Sequence, residues 1–285
     1  MTILKTILVT TLLSLAAVAQ NYHCTYTTFP VSGSGAAGPV GEGLNGSDIV
    51  VGWYQDTLNL THGFRRLSNG TIKTFQVSGA QHTWLFDIND SGTAVGRASL
   101  PSGNGYGFKI EGGKFSVIRY PGATSTGAIG INNNGDIVGD WSNVGQGGAF
   151  LLSNGQFTAL QVPGFKYSVA EDVNDSGFVV GYYTDPNLHG NGFTYSQGQY
   201  ATVDEPGQTS TVLAGVNDAE AIVGYAYDDQ GVSTGFVYSG GVFRQVVIPN
   251  STNVTANGIN NLGDVSGTLT DSSGQHMGFV GTSCN

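Results

Sequence analysis

Gly130-Ile131-Asn132-Asn133-Asn134-Gly135-Asp136-Ile137-Val138-Gly139 reads as strand, turn and strand within ten residues, and it is one copy of six. An aliphatic residue, an Asn and, seven residues after the Asn, a Gly recur as Leu44-Asn45/Gly52, Ile88-Asn89/Gly96, Ile131-Asn132/Gly139, Val173-Asn174/Gly181, Val216-Asn217/Gly224 and Ile259-Asn260/Gly267. The Asn residues are 44, 43, 42, 43 and 43 apart, a regularity that a stack or ring of equal supersecondary units explains.

Outward from this stretch, Ala128 to Asn132 predicts a first strand and Asp136 to Trp141 a second. A loop is expected over 143–147, then a third strand from Gly148 to Leu152, a Ser153-Asn154-Gly155 hairpin turn and a fourth strand from Gln156 to Val162. Asn-Gly and Gly-Gly between apolar runs are strong hairpin signals, because type I′ turns need positive φ at both central residues. Four antiparallel strands repeated six times predict an all-β, six-bladed β-propeller. A linear β-solenoid, whose coils are usually shorter and parallel, is the competing architecture.

The termini favour a closed ring. The last repeat stops after its third strand, at Phe279 and Val280, while Thr27-Thr28-Phe29-Pro30 parallels the fourth-strand segment Ile118-Arg119-Tyr120-Pro121. Pairing the N-terminal strand with the C-terminal blade would supply what the sixth repeat lacks. Cys24 and Cys284, the only cysteines, align with the two sides of that blade's missing hairpin turn, so a disulfide between them would take the place of a covalent turn. Within each repeat the Asn is suited to an Asx turn. The mid-strand Gly marks a close backbone approach, and the third-strand aromatics Phe64, Phe108, Phe150, Phe193, Phe236 and Phe279 are expected to wedge blade against blade.

The ends also carry targeting information. Lys5, an apolar run from Ile7 to Val18 and the small-x-small Ala17-Val18-Ala19 form a signal peptide over 1–19, which leaves a single propeller domain over 20–285 and predicts a secreted, extracellular location, or a periplasmic one in a bacterial host. An exported chain with two cysteines is the setting in which a disulfide persists. A net charge of −10, with no clustering of the ten Lys and Arg, argues against nucleic acid and anionic membranes as partners. No membrane insertion is expected, and a monomer is expected.

The Asn-to-Gly block 130–139, followed by Gly148-Ala149-Phe150, resembles the HAF repeat of predicted extracellular proteins, named for a His-Ala-Phe tripeptide at the third strand. His62-Gly63-Phe64 is the other near match to that tripeptide. The resemblance spans the mature chain and implies export and a propeller-like fold; it implies no activity and no catalytic residue.

Function is expected on the face where the loops from second to third strand, and from fourth strand to the next blade, open together, because such loops vary without disturbing the ring. Tyr54, Asp56, His62, Trp84, Trp141, Tyr183, Asp185, His189 and Asp228 are the ligand-binding candidates there. Aromatic faces beside carboxylates and amides suit a sugar, whose C–H face stacks while its hydroxyls find acceptors. An extracellular carbohydrate or surface polymer is therefore the expected partner. Asp56, Asp185, Asp228 and Asp271 share one repeat position, and calcium is the cation such oxygens would suit, with backbone carbonyls and water completing its six to eight ligands. No cofactor is otherwise expected.

A structural or adhesive protein is one alternative. A polysaccharide-degrading hydrolase or lyase is the other, with Glu42 and Glu171 on innermost strands across the axis, and Asp87 and Asp172 one position along, as the catalytic candidates. Strict strand alternation would let only one of Glu171 and Asp172 face the channel. Seven Asn-x-Ser/Thr sequons occur, three of them on repeat Asn residues.

Overall fold

The protein is described here from a computed structural model covering residues 21–284. The signal peptide read at 1–19 lies outside these residues. Every regular element described is a strand.

Blade three shows the plan. Ser125–Ile131 is innermost, followed outward by Ile137–Asn143, Gln146–Ser153 and Gln156–Leu160, all antiparallel. The second hairpin is tighter than the expected loop over 143–147, because Asn143 already pairs with Gln146 and only Val144 and Gly145 turn the chain. Blades one, two, four and five start at Ser34, His82, Ser168 and Ser210 and repeat this order. Blade six takes Ser251–Ile259, Val265–Asp271 and His276–Thr282 from the C-terminus and Thr25–Phe29 from the N-terminus as its outer strand. The register Thr25↔Thr282 to Phe29↔Gly278 closes a six-bladed ring, and a Cys24–Cys284 disulfide locks the seam. One element was not expected: Asn21–Tyr22 adds a fifth, parallel strand to blade five, and the Tyr22 hydroxyl donates to the Gly263 carbonyl of blade six at 2.8 Å.

Burial follows the repeat. The hydrophobic core is six separate clusters, each shared by neighbouring blades. The six third-strand Phe residues, at most 1% exposed, fill these interfaces. The Gly seven residues after each Asn lies beneath them. A Cβ on Gly181 would collide with the Val169 carbonyl oxygen and approach the Phe193 ring at 3.0 Å, and the other five glycines meet the carbonyl of the paired inner strand in the same way.

The repeat Asn does more than turn the chain. Its Oδ1 accepts the backbone N–H four residues on in every blade, and in four of the six also the one two residues on, as with Ser176 and Phe178 at Asn174. Its Nδ2 donates to the backbone carbonyl of the next blade's Asn, from Asn45 round to Asn260 and from Asn260 back to Asn45, at 3.0–3.2 Å. Six buried side chains thus close a hydrogen-bonded hoop at one mouth of the axial channel. Amide groups so desolvated are held by partners on both sides. The sequons at Asn45, Asn89 and Asn174 use their amide nitrogen in this hoop.

Candidate functional site

The opposite mouth, on the loop face, opens into an axial cavity of about 630 Å³. Two rings of side chains build its wall. On the inner strand the residue three before each Asn points to the axis: Glu42, Phe86, Ile129, Glu171, Ala214 and Asn257. On the second strand the residue directly after the repeat Gly contributes Trp53, Arg97, Asp140, Tyr182 and Tyr225, with Thr268 in the sixth blade. Each second-strand residue is paired across the ladder with an inner-strand neighbour, for example Arg97 with Trp84 and Tyr182 with Val169.

A bulge decides which carboxyls reach the cavity. In blade four the register slips between Ala170 and Asp172, and blades two, three, five and six slip at the same place. Alternation is interrupted there, so Glu171 and Asp172 both line the cavity, contrary to the expectation that only one could. Asp172 and its counterpart Asp87 lie at the floor, where they accept backbone N–H groups from the following blades, Val216 and Ile131, each at 2.8 Å.

Glu42 and Glu171 stand higher, half-buried and surrounded by protein except toward the cavity. Loss of solvent pushes Glu42 from 4.5 up to about 7; the Trp53 indole N–H, 2.9 Å from its Oε1, opposes this, and the charge of Asp87 adds to it. Glu171 is pushed up to about 8, first by burial, then by the charges of Glu42 and Asp140, with Arg97 opposing. Such desolvation favours the neutral acid. The Arg97 Nη2 lies 2.6 and 2.7 Å from the two oxygens of Asp140 in the next blade. Gly127 leaves the space for this pair, since a Cβ there would come within 2.8 Å of the same nitrogen. Burial also raises the Tyr182 hydroxyl to about 12 and lifts that of Tyr225 well above the usual 10, so both remain hydrogen-bond donors.

Of the nine ligand-binding candidates, Trp84 lines this cavity, with the His82 ring stacked on it at 5.6 Å. Tyr54 and Tyr183 face the interfaces between blades and are 8% and 7% exposed; Tyr183 packs on Phe165 at 4.2 Å. Trp141 stacks on Tyr120 with centroids 4.7 Å apart. Asp56, Asp185 and Asp228, like Asp271, cap their own loops, Oδ1 of each accepting two backbone N–H groups. His62 donates its Nε2–H to the Asp56 carboxylate at 3.0 Å, and His189 is exposed on its loop. Among the described residues no group of three or more His, Cys, Asp or Glu is arranged to hold a metal ion. The four catalytic candidates, Glu42, Asp87, Glu171 and Asp172, are brought together in the cavity.

Sequence reasoning missed Trp53, Arg97, Asp140, Tyr182, Tyr225 and Thr268. Their signal was variability: in repeats that otherwise keep residue class, the position after the Gly runs Trp, Arg, Asp, Tyr, Tyr, Thr.

No family model matches the chain. No curated protein matches it either. Solved structures do, at low identity. A streptogramin B lyase aligns over 93% of this chain and 98% of its own at 14% identity and a TM-score of 0.52. A protein provisionally identified as TolB from Agrobacterium tumefaciens aligns over 92% and 98% at 8% identity and a TM-score of 0.59. The fungal lectin of Aleuria aurantia, a six-bladed β-propeller that recognises fucose, aligns over 93% and 95% at 11% identity and a TM-score of 0.51. At these identities the likeness is one of fold, and the chain is a six-bladed β-propeller.

Proposed function

We propose that this chain is a secreted β-propeller of the HAF-repeat kind that binds an extracellular carbohydrate or surface polymer through its loop face, with the axial cavity as the seat of the ligand. The observation that carries this reading is the cavity wall. Trp53, Trp84, Tyr182 and Tyr225 offer aromatic faces, and Glu42, Glu171 and Asn257 offer hydrogen-bonding groups in the same space. A sugar needs both at once. A lectin among the structures of similar fold is consistent with it, and the Cys24–Cys284 disulfide suits an oxidising compartment.

The test is a glycan array probed with the mature protein, followed by titration of the retained glycan against Trp84→Ala. Removing a stacking face from the cavity wall should weaken binding by about tenfold or more while the melting temperature moves little. Unchanged affinity would place the ligand elsewhere. The convergence of Glu42 and Glu171, both held toward the neutral acid, supports a second reading as a glycan-cleaving enzyme. Release of reducing ends or unsaturated sugars from a polysaccharide panel, lost in Glu171→Gln, would establish it.

A further inference from the structure

The cavity gathers more carboxyl groups than its described wall has cations to balance once they ionise. Among the described residues Arg97 is the one Lys or Arg on its wall, and Asp140 occupies it through both carboxylate oxygens. At the floor Asp87 and Asp172 have backbone N–H donors. Glu42 has the Trp53 indole, and no donor among the described residues reaches Glu171. His276, on the rim, lies 3.3 Å from the Thr270 hydroxyl. Tyr182, Tyr225 and Tyr227 also face the space and are held neutral, their hydroxyls raised by burial. Two carboxyls therefore share a desolvated, aromatic-walled space without a counter-ion.

The chemistry that completes such a space is a positive charge with a ring attached. A neutral sugar hydroxyl would give Glu171 a hydrogen bond and leave both glutamates in the neutral form that burial favours. A uronate, sulfate or phosphate would find no unpaired Lys or Arg on the described wall and would oppose ionisation of its carboxyls. An ammonium would pair with Glu42 and Glu171 and draw further attraction from the faces of Trp53, Trp84 and Tyr225. We propose that the axial cavity selects sugars that carry a free amino group, such as non-acetylated 2-amino-2-deoxyhexose units, with the ammonium seated at the carboxyls of Glu42 and Glu171. This rests on the carbohydrate reading above and narrows it to a substrate class.

The experiment is calorimetric titration of the mature protein at pH 6 and moderate salt with three β-1,4 disaccharides, those of glucosamine, N-acetylglucosamine and glucose. The glucosamine disaccharide should bind about tenfold tighter than either neutral one, a difference of about 1.4 kcal/mol. Its heat should differ between buffers of unlike ionisation enthalpy, because ammonium binding ionises carboxyls that were protonated and releases protons. Glu171→Gln should cut the preference to about twofold or less, whereas Glu111→Gln, which removes the same charge from an exposed hairpin, should keep it.

Equal affinity for the three sugars, tighter binding of a neutral one, or loss of the preference in both variants alike would overturn the amine inference and leave the carbohydrate reading standing. If none of the three binds, the glycan array decides. Hits confined to amine-bearing glycans uphold the inference, hits lacking an amine overturn it alone, and a silent array overturns both.

Discussion

Replacing Cys24 and Cys284 with serine lowers the melting temperature by about 10 °C or more. The disulfide spans 260 residues of sequence, and in the chain-entropy model a loop of that size is worth about 4–5 kcal/mol. In a domain of this length each kcal/mol moves the midpoint by roughly 2–4 °C. The effect is concentrated at the seam. Without the bond, the seam is held by the five-residue pairing of Thr25–Phe29 with blade six, the burial of Phe29, the edge-on contact of Tyr26 with Phe279 and the Tyr22–Gly263 and Asn260–Asn45 hydrogen bonds. Calorimetry of the double-serine variant, and of the wild type with reductant, checks this; equal midpoints would mean that the non-covalent contacts across the seam hold the ring without the disulfide.

Stability should also fall as pH rises from about 5 to about 8, the reverse of the usual behaviour of carboxyl-rich proteins. Glu42 and Glu171 have folded-state pKa values of about 7 and about 8 against an ordinary 4.5. Above 4.5 the unfolded chain gives up protons that the folded cavity retains, so unfolding is progressively favoured until the folded groups ionise, and the loss is complete above about 8. Holding the Glu42 proton up to about pH 7 rather than 4.5 costs, for that group alone, on the order of 3 kcal/mol of stability at high pH. Glu205 works in the same direction. It is 8% exposed at a position where other blades place Val77, Val162 or Ile248, its Oε2 has no partner, and burial raises its pKa.

Asp56, Asp185 and Asp271 oppose this on the acid side, since their hydrogen bonds hold them below 3.8 and that contribution disappears as pH falls through their folded values. An optimum near pH 5 results. Melting curves from pH 4 to 9 should show it, Glu205→Val should raise the midpoint more at pH 8 than at pH 5, and Glu42→Gln with Glu171→Gln should flatten the alkaline limb. A midpoint that climbs from pH 5 to pH 8 would contradict the assignment of neutral acids to the cavity.

The ring was legible because Asn132, Gly139 and Phe150 each do one structural job that recurs in all six blades: hoop, close approach and wedge. Such jobs leave a period in the sequence. The outer strand of blade six could be located because the last repeat stops after its third strand and Thr27-Thr28-Phe29-Pro30 parallels the fourth-strand segment Ile118-Arg119-Tyr120-Pro121. The cavity wall was harder to see, since a position facing open space has no packing role to impose a residue type. Tyr54, Trp141 and Tyr183 stand one residue beyond the wall positions Trp53, Asp140 and Tyr182, and in a strand one residue is the difference between the axis and the interface between blades. Glu171 and Asp172 show the second obstacle. The bulge that brings both inward is a backbone register change, and no residue type at 170–172 announces it. The parallel strand at Asn21–Tyr22 is too short to carry a pattern.

The claim on which the functional account stands is that the ligand sits on the axis. Crystals of the mature protein soaked with the glycan retained on the array would test it most directly. The account predicts density for a sugar ring in the axial cavity, against Trp84 or Tyr225 and within hydrogen-bond distance of Glu42 or Glu171. Density on the outer loops instead, beside His62 and Asp56 or over Trp141, with only water along the axis, would contradict it.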